Sequence, residues 1–299
     1  MTLPNFLILG AAKTGTTSIY RYMKQHPEIY MSPAKEPRFF IFENEILNFK
    51  GIGDEIETAK TSLDDYQQLF DKVATEKAIG EATTMYLWSE KAPQRIKYYI
   101  PDAKLIAMVR NPVDRAFSNY LHLRQAKREP IADFAQAIQQ EPQRIKNNWW
   151  PFWYYKDQGF YYRQLQRYFT LFDRSQIKVY LYEDLKTNPL RLLQDIFQFL
   201  EVDSGFEPNL AEKVRKSRPV PQNKTLHSLV SQPNAIKSFL KPLLPKNLRQ
   251  NIVNKINKKN LAKPQVNPEI RQQLIAEYRT DILQLQDTIA RDLSSWLKV

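Results

Sequence analysis

The amino-acid sequence predicts an α/β protein in which helices cover both faces of a central, mostly parallel sheet. Short apolar runs typical of buried strands alternate along the chain with polar turns and amphipathic helical patterns. This alternation favours a parallel sheet, because parallel neighbours need crossover connections that are usually helices. With 299 residues, of which 42% are hydrophobic, the chain is long enough to build one large domain around a full core.

Four apolar runs are predicted strands, and helical spacing of apolar residues follows them. The predicted strands are residues 6–9, 77–81, 104–110 and 176–183. The predicted helices include residues 112–125, residues 189–200 and a C-terminal helix, 265–299. A basic, proline-punctuated segment, 215–264, is expected to cover the sheet, so that residues 1–299 form a single domain. Ligands are expected just after the strands, at their carboxyl ends.

The stretch NFLILGAAKTGTTSIYRYM, residues 5–23, predicts a buried strand, a tight loop and a helix. Gly10 and Gly15 have the G-x-x-x-x-G spacing that lets a main chain curl round a phosphate. Thr16 and Thr17 follow as hydroxyl donors at a helix N-terminus, which attracts anions. Together these features favour a phosphate site over a strand-to-helix turn with incidental glycines.

The lysine of this loop is displaced from the position that nucleoside triphosphatases use. Those enzymes carry lysine directly after the second glycine and place Ser or Thr on Mg²⁺. Here Thr16 stands in that place, and the lysine is Lys13, three residues after Gly10. The charge of Lys13 is therefore expected to contact a different part of the ligand.

A second anion site is expected in AMVRNPVDRAFSNY, residues 107–120. Arg110 ends a predicted strand, and Ser118 lies one to two turns into the helix that follows. An arginine fork and a hydroxyl can converge there on one anion. The alternative is that Arg110 forms a structural ion pair, with Asp114 as the nearest candidate.

The composition limits the partners and the chemistry. A net charge of +12 favours an anionic partner: a nucleotide, a sulfated or phosphorylated acceptor, a membrane surface or nucleic acid. Without cysteine, thiolate catalysis and disulfides are excluded, and three scattered histidines do not make a zinc pattern, so no metal is expected. An early first strand and the lack of an apolar run of about 18 residues predict a cytoplasmic protein.

Five motifs connect the chain to a known family. They are GAAKTGTTSIYRYMKQHPEI, SPAKEPRFF, RNPVDRAFSNY, VYLYEDLKTNP and YRTDILQLQDTIARDLSSW. In this order, over nearly the whole chain, they resemble the PAPS-dependent sulfotransferase family, and within it the carbohydrate branch of heparan-sulfate sulfotransferase-like enzymes. The resemblance implies a P-loop-type three-layer α/β/α fold. It also implies transfer of a sulfuryl group from 3′-phosphoadenylyl sulfate (PAPS) to a hydroxyl or amine, expected on a carbohydrate.

The resemblance also implies roles for individual residues. The loop residues expected to bind the 5′-phosphosulfate of PAPS are Ala12, Lys13, Thr14, Gly15, Thr16, Thr17 and Ser18. Arg110 and Ser118 would hold the 3′-phosphate, and Lys259 would also reach the cofactor. Lys13 would stabilise the departing phosphate oxygen, and Glu36 would be the general base. His26 is a rival base that the resemblance makes structural.

The sequence departs from the resembled branch at two places. Glu81 is followed by Ala82, where relatives that modify glycosaminoglycans often have lysine. Near the C-terminus only Lys259, with Lys263 nearby, remains of a basic loop, and both are equally interpretable as surface lysines. These departures leave cofactor binding expected and put a glycosaminoglycan acceptor in doubt.

The aromatic segment NNWWPFWYYKDQGFYY, residues 147–162, is the candidate acceptor site. Its rings either line a cleft that stacks on a sugar or an apolar acceptor, or pack an insertion against the sheet, and a peripheral membrane contact is a third interpretation. Two other functions stay open. One is a P-loop ATP-dependent small-molecule kinase, which predicts lysine after Gly15, and the other is a non-catalytic basic protein that binds anionic polymers or lipids.

Overall fold

The structure, a computed structural model, describes residues 2–51, 59–211 and 264–299. Its described residues contain one five-stranded sheet in which every neighbouring pair is parallel. The strands are β1 (Phe6–Gly10), β2 (Ile29–Met31), β3 (Ala78–Ala82), β4 (Lys104–Val109) and β5 (Ile177–Leu181). Their order across the sheet is β2-β3-β1-β4-β5, so β1 is central, and the predicted α/β fold with a parallel sheet is confirmed.

Helices connect and cover the strands. They are α1 (Thr16–Met23), α2 (Phe39–Phe42), α3 (Leu63–Gln67), α4 (Ala92–Tyr99), α5 (Pro112–Gln125), α6 (Phe134–Gln139), α7 (Glu141–Lys146), α8 (Tyr161–Leu171), α9 (Tyr182–Thr187), α10 (Pro189–Phe199) and α11 (Pro268–Ile289). Short 3₁₀ turns include Pro151–Trp153, Asp157–Gly159 and Ser294–Leu297. In the described part of the chain, no helix is long and apolar enough to cross a membrane.

The core lies on both faces of the central strands. Phe6 and Ile8 of β1 pack with α1 and α10 on one face, and Leu7 and Leu9 point to the opposite face. All four side chains are fully buried. Burial on both faces explains why β1 is a continuous apolar run rather than an alternating one, and it gives the three-layer α/β/α arrangement.

The C-terminal helix is shorter than the sequence predicts. It ends at Ile289 because Ala290 adopts a left-handed conformation (φ 51°), and the Arg291 N–H turns back to the Gln286 carbonyl at 3.2 Å. This is a Schellman-type helix end, with alanine in the place usually taken by glycine. The helix therefore stops before the Ser294–Leu297 turn, whose Trp296 is buried.

The described residues 2–211 and 268–299 belong to one compact unit, and residues 264–267 belong to a second. The predicted covering segment, 215–264, lies outside the described residues except for its last position. Its role, and the single-domain organisation, stay predictions.

Candidate active site

The predicted phosphate loop lies at the carboxyl end of β1. Gly10 (φ 135°) and Gly15 (φ 91°) both occupy conformations that favour glycine. A Cβ atom on Gly15 would lie 2.5 Å from Leu185 Cδ2, so only glycine fits beside α9. The Thr14 hydroxyl donates to the Ala11 carbonyl at 2.7 Å and fixes the turn. Helix α1 begins at Thr16, directly after the loop, so the loop ends at a helix N-terminus, which attracts anions.

Lys13 projects from the middle of this loop, with its backbone in a left-handed conformation (φ 70°). Burial, together with the positive charges of Arg110, Arg115 and Lys35, lowers the pKa of Lys13 to about 8. Among the described residues, no carboxylate lies within ion-pairing distance of the Lys13 ammonium. An anion at this loop would relieve the repulsion that these positive charges exert on Lys13.

Arg110 stands at the end of β4, the strand next to β1. Its Nη1 donates to the Lys13 carbonyl at 3.3 Å, and its guanidinium carbon lies 4.7 Å above the Tyr182 ring. The alternative ion pair with Asp114 is wrong, because Asp114 pairs with Arg271 of α11 instead. Arg110 is thus oriented by a ring and a carbonyl, while its charge stays available for an anion.

Ser118 lies in the second turn of α5, as the sequence predicts, and its side chain is partly exposed. Asn111 caps this helix, accepting hydrogen bonds from the N–H groups of Val113 and Asp114 at 3.0 and 3.2 Å. The joint role of Arg110 and Ser118 on one phosphate stays a prediction.

Glu36 lies in the loop before α2, with φ 63°. Its N–H donates to the Ala82 carbonyl at 3.0 Å. Its carboxylate accepts from the Thr84 N–H and the Thr84 hydroxyl, both at 3.0 Å, and from the Lys35 ammonium at 2.7 Å. The segment that carries Thr84 also contacts the phosphate loop, since a Cβ atom on Gly10 would overlap the Thr84 carbonyl. The structure therefore joins the predicted base to the predicted phosphate loop through one short segment.

Opposing effects act on the pKa of Glu36. Burial raises it, but the charges of Lys35 and Arg38 and the hydrogen bonds from Lys35 and Thr84 outweigh burial, so the pKa is lowered below its ordinary value. Glu36 is consequently a carboxylate at neutral pH, which is the form that a general base requires.

His122 of α5 is a site residue that the sequence interpretation did not include. Its side chain is exposed, but packing of neighbouring groups and the positive charges of Lys13 and Arg128 lower its pKa, so the imidazole is neutral at pH 7. Its ring lies edge-on to Phe152 with centroids 6.0 Å apart. His122 follows Ser118 by four residues, the spacing that puts two side chains on one helix face, and that spacing is the signal that would have found it.

A family model described as the sulfotransferase family matches residues 4–208. The chain belongs to the sulfotransferase family. It is 32% identical over 214 residues to the human bifunctional heparan sulfate N-deacetylase/N-sulfotransferase 2, an alignment that covers 67% of this chain. The chain spans about a fifth of that relative's length (22%), and curated relatives of the same name from cow and mouse are similar. These matches confirm the resemblance to the heparan-sulfate branch.

Solved sulfotransferase structures match the fold. The crystal structure of a sulfotransferase from Alicyclobacillus acidocaldarius is 34% identical, with a TM-score of 0.79, and the match covers 100% of each chain. The sulfotransferase domain of the Synechococcus PCC 7002 olefin synthase is 17% identical, with a TM-score of 0.50, and covers 97% of this chain and 96% of its own. The first similarity supports the family assignment, whereas the second concerns the fold alone.

His26 is structural in this sulfotransferase. It is 2% exposed and packs between the Phe197 and Phe206 rings. Its Nδ1 accepts from the Glu28 N–H at 3.1 Å, and its Nε2 therefore donates to the Asp203 carbonyl at 2.9 Å. With both ring nitrogens bonded to the backbone, His26 does not serve as a base, and its structural interpretation is confirmed.

The aromatic segment 147–162 mainly packs the sulfotransferase core. Five of its rings are buried, Trp150, Trp153, Tyr154, Tyr155 and Tyr161, whereas Trp149, Phe152, Phe160 and Tyr162 are partly exposed. Buried Glu129 ties the segment down, because its carboxylate pairs with Arg144 at 2.7 and 2.9 Å and accepts from the Tyr155 hydroxyl at 2.5 Å. The packing interpretation is therefore right for these five rings, and an acceptor contact through a partly exposed ring, such as Phe152 beside His122, stays a prediction.

The remaining predicted contacts have separate outcomes. Lys259 and Lys263 lie outside the described residues, so their contact with the cofactor stays a prediction. In the described part of the chain, no group of three or more His, Asp or Glu side chains is arranged to hold a metal ion.

Asp184 anchors the start of α9 by accepting from the Leu181 N–H at 3.0 Å, and it pairs with Arg291 at 2.8 Å.

Glu81 gives the enzyme a pH-dependent stability. It is completely buried, and burial raises its pKa to about 8, although hydrogen bonds from Thr83 (3.0 Å) and Tyr66 (3.3 Å) oppose the shift. The folded protein thus holds a proton that the unfolded chain releases near pH 4.5. Because of this group, the free energy of unfolding falls by on the order of 4 kcal/mol as pH rises from about 4.5 to 8. In Glu81→Gln, this contribution to the pH dependence of the free energy of unfolding should disappear. Urea unfolding at pH 5, 6.5 and 8 measures it. An unchanged pH dependence in Glu81→Gln would contradict the buried proton.

Proposed function

We propose that this sulfotransferase transfers the sulfuryl group of PAPS to a hydroxyl or amine of a saccharide acceptor, with Glu36 as the general base. The proposal is carried by one observation: Lys13 and Arg110, at the ends of the adjacent strands β1 and β4, have no carboxylate partner among the described residues. Two anion-attracting groups at neighbouring strand ends suit a ligand with two separated phosphates.

The residues of the loop fit the 5′-phosphosulfate end of such a ligand. Gly10 and Gly15 let the loop adopt its tight turn, and the N-terminus of α1 supplies backbone donors and partial positive charge. Arg110 and Ser118 are the proposed partners of the 3′-phosphate. Arg110 suits that role because a guanidinium binds phosphate oxygens in pairs.

Bound PAPS supplies the activated sulfuryl group. Glu36 accepts the proton that the acceptor hydroxyl or amine releases as its oxygen or nitrogen bonds to sulfur. Lys13 stabilises the charge on the oxygen that stays with the 5′-phosphate when the old S–O bond breaks. The products are the sulfated acceptor, 3′,5′-adenosine bisphosphate (PAP) and one proton, so atoms and charge balance.

The comparisons and the site support the proposed acceptor class. The curated relatives are named for heparan sulfate, a saccharide, and the partly exposed Phe152 ring near His122 can stack on a sugar face. The experiment is a mass-spectrometric screen of hydroxyl and amine acceptors with PAPS. A sulfated saccharide product with release of PAP is expected. Turnover with ATP and Mg²⁺ instead would support a kinase and contradict the proposal.

Arg110→Ala should weaken PAP binding selectively through the 3′-phosphate. Loss of a charge-assisted contact of about 1.5–3 kcal/mol corresponds to a roughly 10- to 150-fold higher Kd for PAP. Adenosine 5′-monophosphate, which lacks the 3′-phosphate, should bind wild type and variant alike. Calorimetry measures both ligands, and Arg21→Ala, on the exposed face of α1, is the matched control. Equal weakening of both nucleotides would assign Arg110 to structure.

PAP binding should take up a proton near pH 8. The free enzyme loses the Lys13 proton around its pKa of about 8, and a bound polyanion raises that pKa, so the complex keeps the proton at higher pH. The affinity for PAP should therefore fall as pH rises through 8 to 9. Calorimetry in two buffers of different ionisation enthalpy measures the uptake. In Lys13→Arg, whose side chain stays charged, the uptake should vanish, and its persistence there would contradict the assignment.

A further inference from the structure

We propose that Lys35 exchanges ionic partners during the reaction cycle, holding Glu36 in the unliganded enzyme and turning to the phosphosulfate end of PAPS when the cofactor binds. The inference rests on the proposed function, because it needs an anion at the phosphate loop. Lys35 would then be a positioning residue that couples cofactor occupancy to the basicity of Glu36.

The first observation is the ion pair itself. The Lys35 ammonium lies 2.7 Å from Glu36 Oε1, and the two side chains are only 22% and 19% exposed. A carboxylate held by an ammonium is a poor proton acceptor, because the positive charge favours its ionised form. The ion pair with Lys35 therefore restrains the Glu36 carboxylate and lowers its pKa.

The second observation places the same ammonium near the anion site. Lys35 is one of the three cations whose charge acts on Lys13 in the phosphate loop. Contacts place it close to the phosphate loop as well: the Lys35 ammonium is bound to Glu36, Glu36 accepts from Thr84, and the Thr84 carbonyl packs against Gly10 of the loop. A lysine has a flexible four-carbon stem and three donors, so it can change partners without movement of the main chain.

The third observation concerns what holds Glu36 when Lys35 leaves. The Thr84 N–H donates to Oε2 and the Thr84 hydroxyl donates to Oε1, each at 3.0 Å. The Glu36 N–H is also bonded to the Ala82 carbonyl at 3.0 Å. These bonds keep the carboxylate in place without the lysine. Departure of Lys35 thus changes the basicity of Glu36 and not its position.

A double-mutant cycle on PAP affinity tests the exchange without any acceptor. The four proteins are wild type, Glu36→Gln, Lys35→Met and the double variant, with PAP Kd measured by calorimetry at constant ionic strength. In wild type, PAP must compete with Glu36 for Lys35. Glu36→Gln should therefore tighten PAP binding about tenfold more in the Lys35 background than in the Lys35→Met background, a coupling of about 1.4 kcal/mol. Lys35→Arg, which keeps the charge, should restore the coupling.

A second measurement follows the Glu36 carboxyl directly. Its ¹³C resonance is assigned by its loss in Glu36→Gln and titrated with and without PAP. Saturating PAP should raise the Glu36 pKa in wild type. In Lys35→Met the pKa should start higher than in wild type, although Arg38 and Thr84 still lower it, and it should move less on PAP binding. The exchange would be overturned if the effects of the two substitutions on PAP affinity were additive, or if PAP changed the Glu36 pKa equally in both proteins. PAP binding by wild type would still support the proposed function in that case. Failure of wild type to bind PAP would overturn the proposed function and this inference with it.

Discussion

Glu36→Gln is expected to lower kcat for sulfuryl transfer by about 10²- to 10⁴-fold, because glutamine cannot accept the acceptor proton. The fold should persist, since the Glu36 main chain stays bonded to Ala82 and the amide oxygen can still accept from Thr84. The measurement is steady-state transfer to the acceptor found by mass spectrometry, with PAP affinity measured in parallel.

The controls separate catalysis from binding. PAP should bind Glu36→Gln at least as well as wild type, because the substitution removes a negative charge near the cofactor. Glu90→Gln, at a side chain that is 85% exposed, should leave kcat and the affinity unchanged. A fully active Glu36→Gln would remove Glu36 from the chemistry, and the neutral imidazole of His122 would become the leading candidate base.

Lys13→Ala is expected to lower kcat by about 10²- to 10³-fold, the cost of removing one group that stabilises charge developing in the transition state. The KM for PAPS should rise much less, because the backbone donors at the start of α1 remain and still bind the phosphate in the ground state. Initial rates over a matrix of PAPS and acceptor concentrations give both constants.

The matched control for this lysine is Lys24→Ala, an exposed position at the end of the same helix, which should behave as wild type. If Lys13→Ala instead raised the KM for PAPS and left kcat unchanged, Lys13 would serve only to neutralise phosphate. The proposed contact with the departing oxygen would then be wrong.

The sequence predicted the parts of the fold that local pattern determines. The buried strands β1 and β4 are continuous apolar runs, and α5 begins and ends where proline and helical spacing place it. Strand β2 was missed because its three residues are too few to show a period. The end of the C-terminal helix was misplaced because alanine at position 290 gives no signal of a left-handed turn.

The sequence predicted the candidate site where one continuous segment forms it, as in the strand, glycine loop and helix of the predicted phosphate loop. It was not predictable where segments distant in the chain meet. Asp114 was the nearest candidate in the sequence for an ion pair with Arg110, but it forms its ion pair with Arg271, 157 residues away. Arg115, to which the sequence analysis assigned no role, is completely buried and affects the pKa of Lys13. The hydrogen bonds from Thr84 to the Glu36 carboxylate likewise depend on a tertiary contact between two loops.

The most direct test is a crystal structure of the protein with PAP bound. The predicted result places the 5′-phosphate against residues 12–18, with Lys13 at its oxygens, and the 3′-phosphate between Arg110 and Ser118. One nucleotide would then join the ends of β1 and β4. PAP bound elsewhere, or with its 3′-phosphate away from Arg110, would contradict the two-site arrangement on which the proposed function depends.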